Sequence, residues 1–194
     1  MFGPAVVRFH VAYRERNEAA FKPLPALGSA VTTATAARFV GRPGQTYIFK
    51  VSAEDAGGHI GAPAVARTVV PVDDGGSRYK LYAGRWERVA GDRFYLGGEH
   101  QSREAGAAFT YNFDGRRVYL IGSKGPDRGQ AEVVLDGASY GLIDLYAAEA
   151  SARRVLWASP LLKPIGFKPH RLRVIVTGTD GRPLVGVDAV ARVK

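Results

Sequence analysis

The chain has 194 residues, 46% of them hydrophobic, with 24 glycines, 11 prolines and no cysteine. That is enough apolar material for one or two packed domains, and it excludes a disulfide scaffold, a cysteine-ligated zinc site and a thiol nucleophile. The net charge of +9 is spread, with eight basic and four acidic residues in 1–72 and nineteen and fourteen in 73–194, so a solvated surface is expected rather than a nucleic-acid patch.

Nearly every segment reads as a strand. Val7, Phe9, Val11 and Tyr13 alternate with Arg8, His10, Ala12 and Arg14, the pattern of a half-buried strand. Tyr47, Phe49, Val51 and Ala53 repeat it after the turn Arg42-Pro43-Gly44. Val69-Val70-Pro71-Val72 ends another strand, and Asp73-Asp74-Gly75-Gly76-Ser77 follows as a turn-rich linker with two solvated acids. The boundary between domains 1–72 and 73–194 is placed there. Phe109, Tyr111 and Phe113 form an inward face before the turn Asp114-Gly115, and Gly125-Pro126-Asp127 and Asp136-Gly137 mark two further turns. Tyr146–Arg154, with Ala147, Ala148, Glu149 and Ala150, reads either as one helical turn or as a link between strands. Leu172, Val174 and Val176 follow, then the turn Asp180-Gly181, and Val187, Ala189, Ala191 and Val193 close the chain. Many short strands at this spacing predict an all-β protein of sandwich or barrel type. No apolar run approaches ~18 residues, so no membrane span is expected. Met1-Phe2-Gly3-Pro4 has neither a charged region nor a long apolar one, so no signal peptide is expected there.

Two stretches carry family resemblances. Gly44 through Gly61, with Tyr47 and the turn Asp55-Ala56-Gly57-Gly58-His59, resembles the late strands of a bacterial fibronectin type III domain. The resemblance implies that Tyr47 is buried at a corner between two strands. It also implies that Val6–Arg14 is the third strand, Thr33–Val40 the fifth and Arg67–Val70 the last. Two strands expected before Val6 are missing, so 1–72 reads as a truncated domain of a longer protein, with an open core and a bare sheet edge.

Residues 73–194 resemble galactose-binding-like jelly rolls of the carbohydrate-binding-module kind, which follow fibronectin domains in bacterial extracellular proteins. Tyr82-Ala83-Gly84-Arg85-Trp86, Gly97-Gly98-Glu99-His100, Glu104 to Gly115, Val118 to Gly122, Val133 to Gly137 and Val187 to Val190 carry the likeness, in family order. The family often holds a structural calcium, and Asp188 lies where its last-strand acid falls. Arg78-Tyr79-Lys80 stands where the matching N-terminal glutamate would be. Calcium needs several hard oxygen ligands, so no metal site and no cofactor are expected, and Asp188 is expected to pair with an arginine or cap a loop.

The four histidines, His10, His59, His100 and His170, are scattered, and no His-Glu-x-x-His, Gly-x-Ser-x-Gly or phosphate loop occurs. The chain is therefore expected not to be an enzyme. Sugar binding needs aromatic faces and planar polar groups, and the candidate ligand-binding residues are Tyr95, His100, Lys124, Arg128 and Trp157. Tyr95 and His100 flank the Leu96-Gly97-Gly98 loop. Lys124 and Arg128 belong to the loop Ser123–Gly129, suited to a sugar or an acidic glycan or, alternatively, a plain hairpin with solvated charges. Trp157 faces either outward or into the second layer, Trp86 reads as core, and Tyr140 is a further aromatic candidate. The resemblance implies a non-catalytic accessory region of an extracellular protein, a spacer followed by a carbohydrate-binding module with a polysaccharide or glycan as partner. A purely structural module, or the C-terminal part of a secreted hydrolase, remains as the alternative.

Overall fold

The structure is a computed structural model that describes residues 5–75, 79–166 and 168–194. The expected leaderless start at Met1–Pro4 and the Gly76–Ser77 part of the expected linker lie outside the described residues, as does Arg78. Strands supply nearly all of the regular secondary structure among the described residues, and the chain divides into two compact units, one ending at Val70 and the other beginning at Pro71.

The first unit is one antiparallel sheet. Its strands are β1 (Val6–Glu15), β2 (Lys22–Pro23), β3 (Val31–Thr32), β4 (Thr46–Asp55) and β5 (Ala64–Val69). They run in the order β2-β1-β4-β5, with β3 also on β1. Tyr13, Phe39, Tyr47 and Phe49 cluster, with Phe39 edge-on to the other three at 4.8–5.0 Å. Tyr47 is buried, and its hydroxyl accepts the Arg42 N–H at 3.0 Å. A Cβ on Gly41 would lie 2.6 Å from that ring, so a side chain at 41 would push the loop off the tyrosine. The strand expected over Thr33–Val40 is not formed: only Val31–Thr32 pairs, and 33–40 runs without a partner strand among the described residues. Phe9, Val11, Leu27, Phe39, Phe49 and Val51 line an apolar hollow of about 410 Å³ on this sheet.

The second unit is a two-layer sandwich. One layer holds β7 (Lys80–Ala83), β10 (Ala108–Phe113), β15 (His170–Val176), β12 (Gln130–Leu135) and β13 (Ala138–Asp144), paired in that order. The facing layer holds β6 (Val72–Asp73), β17 (Ala189–Val193), β11 (Arg117–Lys124) and β14 (Ser151–Ala158), and beside them a small sheet of β8 (Glu87–Ala90), β9 (Gly98–Ser102) and β16 (Val185–Val187). The alternating residues Phe109, Tyr111, Phe113, Val133, Leu135, Leu172, Val174 and Val176 meet Val118, Leu120, Val187 and Val190 in one core. The β12–β13 hairpin turns on Asp136 and Gly137, both at positive φ (54° and 87°), the geometry that favours Asp-Gly in two-residue turns.

Three expectations change here. Tyr146–Arg154 forms no helix: Tyr146 bridges to Gly125, and the chain is already extended in β14 from Ser151. The final strand is broken at Asp188, where the chain leaves the small sheet for the four-stranded one, so the inward parity passes from Val187 to Val190. Asp73 and Asp74 are not solvated linker residues. Asp73 pairs with Ala189 in β6, and Asp74 is fully buried, donating its N–H to the Asp188 carbonyl.

Candidate functional site

A groove of about 700 Å³ opens beside the small sheet of the second unit. Arg85, Glu87, Arg103 and Glu104 form its polar wall, over a floor of Val89 and Leu184. The Gly84 turn aims this wall. Gly84 has φ 78°, and a Cβ there would sit 2.9 Å from Ala107, so only glycine fits without displacing the strand. The Arg85 N–H donates to Glu104 at 2.7 Å, and the Arg85 guanidinium donates to Glu87 at 3.0 Å. Arg103 is exposed, with no ion pair among the described residues. Forked donors beside carboxylate acceptors match vicinal hydroxyls or an amide. The sequence reading missed this groove, whose only local signal was the mixed charge around Gly84 and Gly106.

Behind the groove lies a buried charge pair. Glu99 on β9 is fully buried and accepts from Gln101 (2.6 Å) and Ser123 (2.7 Å). The Arg128 guanidinium approaches it at 3.3 Å, with 6% of that side chain exposed. Gly186 makes room for both: a Cβ there would lie 2.5 Å from Glu99 and 2.7 Å from Arg128 Nη1.

The five sequence candidates fall in three places. Lys124 and Arg128 line one cavity of about 320 Å³ with Arg93, Asp127 and Ser151. Lys124 donates to the Asp144 carbonyl, while Arg128 is buried rather than on a solvated hairpin tip. Tyr95 and His100 turn their polar groups inward. Tyr95 donates its hydroxyl to the Pro71 carbonyl at 2.9 Å and its N–H to Asp188 at 2.8 Å. His100 Nδ1 meets Asp74 Oδ2 at 2.8 Å, and its ring stacks on Tyr82 at 4.7 Å. Trp157 is half-buried against the core and lies edge-on to exposed Tyr140 at 5.5 Å. Trp86 also packs on the core, with its indole N–H on the Ala83 carbonyl.

Burial sets the electrostatics around Asp188. Loss of hydration pushes its carboxyl up to about 7; the Tyr95 N–H works against that shift, and the Glu99 and Asp74 charges add to it. Asp74 is raised for the same reason, opposed by its hydrogen bonds from His100. Burial also lowers the Lys80 ammonium, against the pull of Asp73 and Asp74. One oxygen each of Asp74 and Asp188 has no hydrogen-bond partner. Among the described residues, however, no group of three or more His, Asp or Glu side chains gathers in a way that could hold a metal ion. Asp188 does cap a loop, through Tyr95.

No protein-family profile matches the chain. Among curated proteins, 110 residues are 27% identical to an A type blood N-acetyl-α-D-galactosamine deacetylase of Flavonifractor plautii, covering 57% of this chain and 14% of that protein. A stretch of 72 residues is 36% identical to an A type blood α-D-galactosamine galactosaminidase of the same organism, covering 37% of this chain and 7% of that protein. The chain thus spans about a seventh or less of either relative. Among solved structures, the CBM36-1 domain of a multidomain xylanase from a Trinervitermes trinervoides hindgut metagenome aligns over 57% of the chain and 94% of its own (TM-score 0.41, 10% identity). A glycoside hydrolase family 43 arabinoxylan arabinofuranohydrolase from Bacillus subtilis aligns over 77% of the chain and 38% of its own (TM-score 0.44, 15% identity). The expectation that the chain is not an enzyme is corrected by the sequence relatives, both of which are named as enzymes. Motif scanning could not anticipate this, because the matched segments are small parts of those long proteins. No helix among the described residues is long and apolar enough to cross a membrane.

Proposed function

We propose that the chain is part of a larger enzyme acting on carbohydrate, and that its second unit, from Pro71 to Lys194, is a jelly roll that holds the sugar chain. The observation that carries this reading is the sequence similarity to two enzymes named for galactosamine substrates. The groove at Arg85, Glu87, Arg103 and Glu104 supports it, having the volume and polar groups that a sugar needs. The first unit acts as a fibronectin type III-like spacer. Support for that comes from the β2-β1-β4-β5 order and from the Tyr47 hydroxyl bound to the backbone five residues upstream. An extracellular location follows from a polysaccharide or surface-glycan target.

Titration calorimetry of the full chain with an oligosaccharide ending in N-acetylgalactosamine or galactosamine tests the groove. Saturable binding, weakened about tenfold or more in Arg103→Ala, is the expected result. Equal affinity in a folded Arg103→Ala protein removes the groove from the reading, and no heat with any neutral or amino-sugar glycan overturns it.

A further inference from the structure

We propose that the cavity between the β11–β12 loop and the start of β14 binds the anionic group of an acidic sugar. This rests on the carbohydrate reading of the second unit and extends it from neutral to charged glycans. The cavity holds about 320 Å³, at the small end of the ~300–1,000 Å³ range of ligand pockets. It therefore takes one or two sugar rings and not a polymer lying flat.

The walls are rigid. Gly125 donates its N–H to the Leu145 carbonyl, and Arg128 donates to Gly125. On the far side, Arg153 donates to the carbonyls of Asp92 and Phe94 at 2.7 and 2.8 Å, which pins the turn carrying Arg93. The charges do not balance. Arg128 is engaged by Glu99 at 3.3 Å and approached by Asp127 at 3.6 Å. Arg93 and Lys124 have no carboxylate within 4 Å among the described ion pairs. Arg93 lies over the Phe94 ring, 4.7 Å from its centroid, which leaves its N–H fork free. Lys124 spends one N–H on the Asp144 carbonyl and keeps two. Ser151 also lines the cavity. Two cations without a carboxylate partner thus line one concavity, which favours an incoming carboxylate or sulfate. Asp127 also lines the cavity, with 61% of its side chain exposed, so a single anionic group suits it better than a run of phosphates.

The test compares digalacturonate, a sulfated galactose disaccharide and neutral digalactose on the full chain, by calorimetry at 50 and 300 mM salt. Either acidic sugar is expected to bind at least tenfold more tightly than the neutral one at low salt, with the preference shrinking at high salt. Arg93→Ala and Lys124→Ala are each expected to cost the acidic sugar about fivefold to tenfold and to leave the neutral sugar unchanged. Lys124→Arg is expected to retain the preference. Equal binding of acidic and neutral sugars, or a preference that survives Arg93→Ala/Lys124→Ala, overturns the assignment while leaving carbohydrate binding intact. No binding by any of the three also overturns the assignment, while the amino-sugar titration decides separately whether the carbohydrate reading stands.

Discussion

Replacing Arg128 with alanine tests the physical account of the second unit at its most sensitive point. Glu99 is fully buried, and its neutral partners are one serine hydroxyl and one glutamine amide. Removing Arg128 leaves that carboxylate in the interior without a counter-charge. Breaking one side of a buried pair costs about 3–5 kcal/mol, whereas an exposed pair contributes only about 0–1 kcal/mol. Small domains have about 5–15 kcal/mol in all, so the loss is a large fraction of the total. Both tryptophans, Trp86 and Trp157, belong to this unit and pack on its core, so fluorescence during urea unfolding reports it selectively. With a urea slope of about 2 kcal/mol per molar, the midpoint should fall by about 2 M. The double variant Glu99→Gln/Arg128→Met should recover most of that, because it removes the stranded charge along with its partner. A midpoint shift in Arg128→Ala worth less than about 1 kcal/mol would refute the reasoning and demote the pair to a surface contact.

Three other outcomes follow. Gly186→Ala should cost about 1–3 kcal/mol in the same assay, because its Cβ would stand 2.5 Å from Glu99; an unshifted midpoint would mean the two strands part easily. Asp188 carries a carboxyl raised to about 7, above the ordinary value of about 3.9, so the folded state binds the extra proton. Its contribution is fully present below about pH 4 and is lost as pH rises to about 7. Asp188→Asn should flatten the urea midpoint between pH 4 and 7 and exceed the unmodified chain at pH 8, and parallel pH profiles would contradict the shift. In the first unit, Tyr47→Phe should cost about 1 kcal/mol and speed hydrogen exchange at the Arg42 amide, which the tyrosine hydroxyl accepts at 3.0 Å; unchanged exchange would deny the hydrogen bond.

What the sequence made legible follows from which forces are local. Alternation at Phe109, Tyr111 and Phe113 reports a buried face because side chains on a strand point to opposite sides in turn. Asp136-Gly137 reports its turn because few other pairs tolerate two positive φ angles. Tyr146–Arg154 stayed open between a helical turn and a link between strands for the same reason: alanines favour a helix, but pairing of Ser151–Ala158 with β11 decides the segment, and that partner is distant in sequence. Asp74 looked like a linker acid because its partners, His100 and Asp188, are far along the chain. The parity break at Asp188 was equally hidden, since a change of sheet leaves no trace in the alternation. Of the candidate site residues, Lys124 and Arg128 do share one cavity, as their common loop suggested. Tyr95, His100 and Trp157 lie elsewhere, because sequence proximity to a loop says nothing about which way a ring turns.

The central claim is that the second unit, Pro71–Lys194, holds carbohydrate through sites on its own surface. The most direct measurement is a glycan array probed with the full chain at low salt, carrying amino-sugar, neutral and uronate glycans, beside folded Arg103→Ala and Lys124→Ala proteins. The account predicts selective retention of a few glycans, with Arg103→Ala erasing the neutral and amino-sugar signals and Lys124→Ala weakening the acidic ones. A blank array with a folded chain, or retention indifferent to both substitutions, would contradict it.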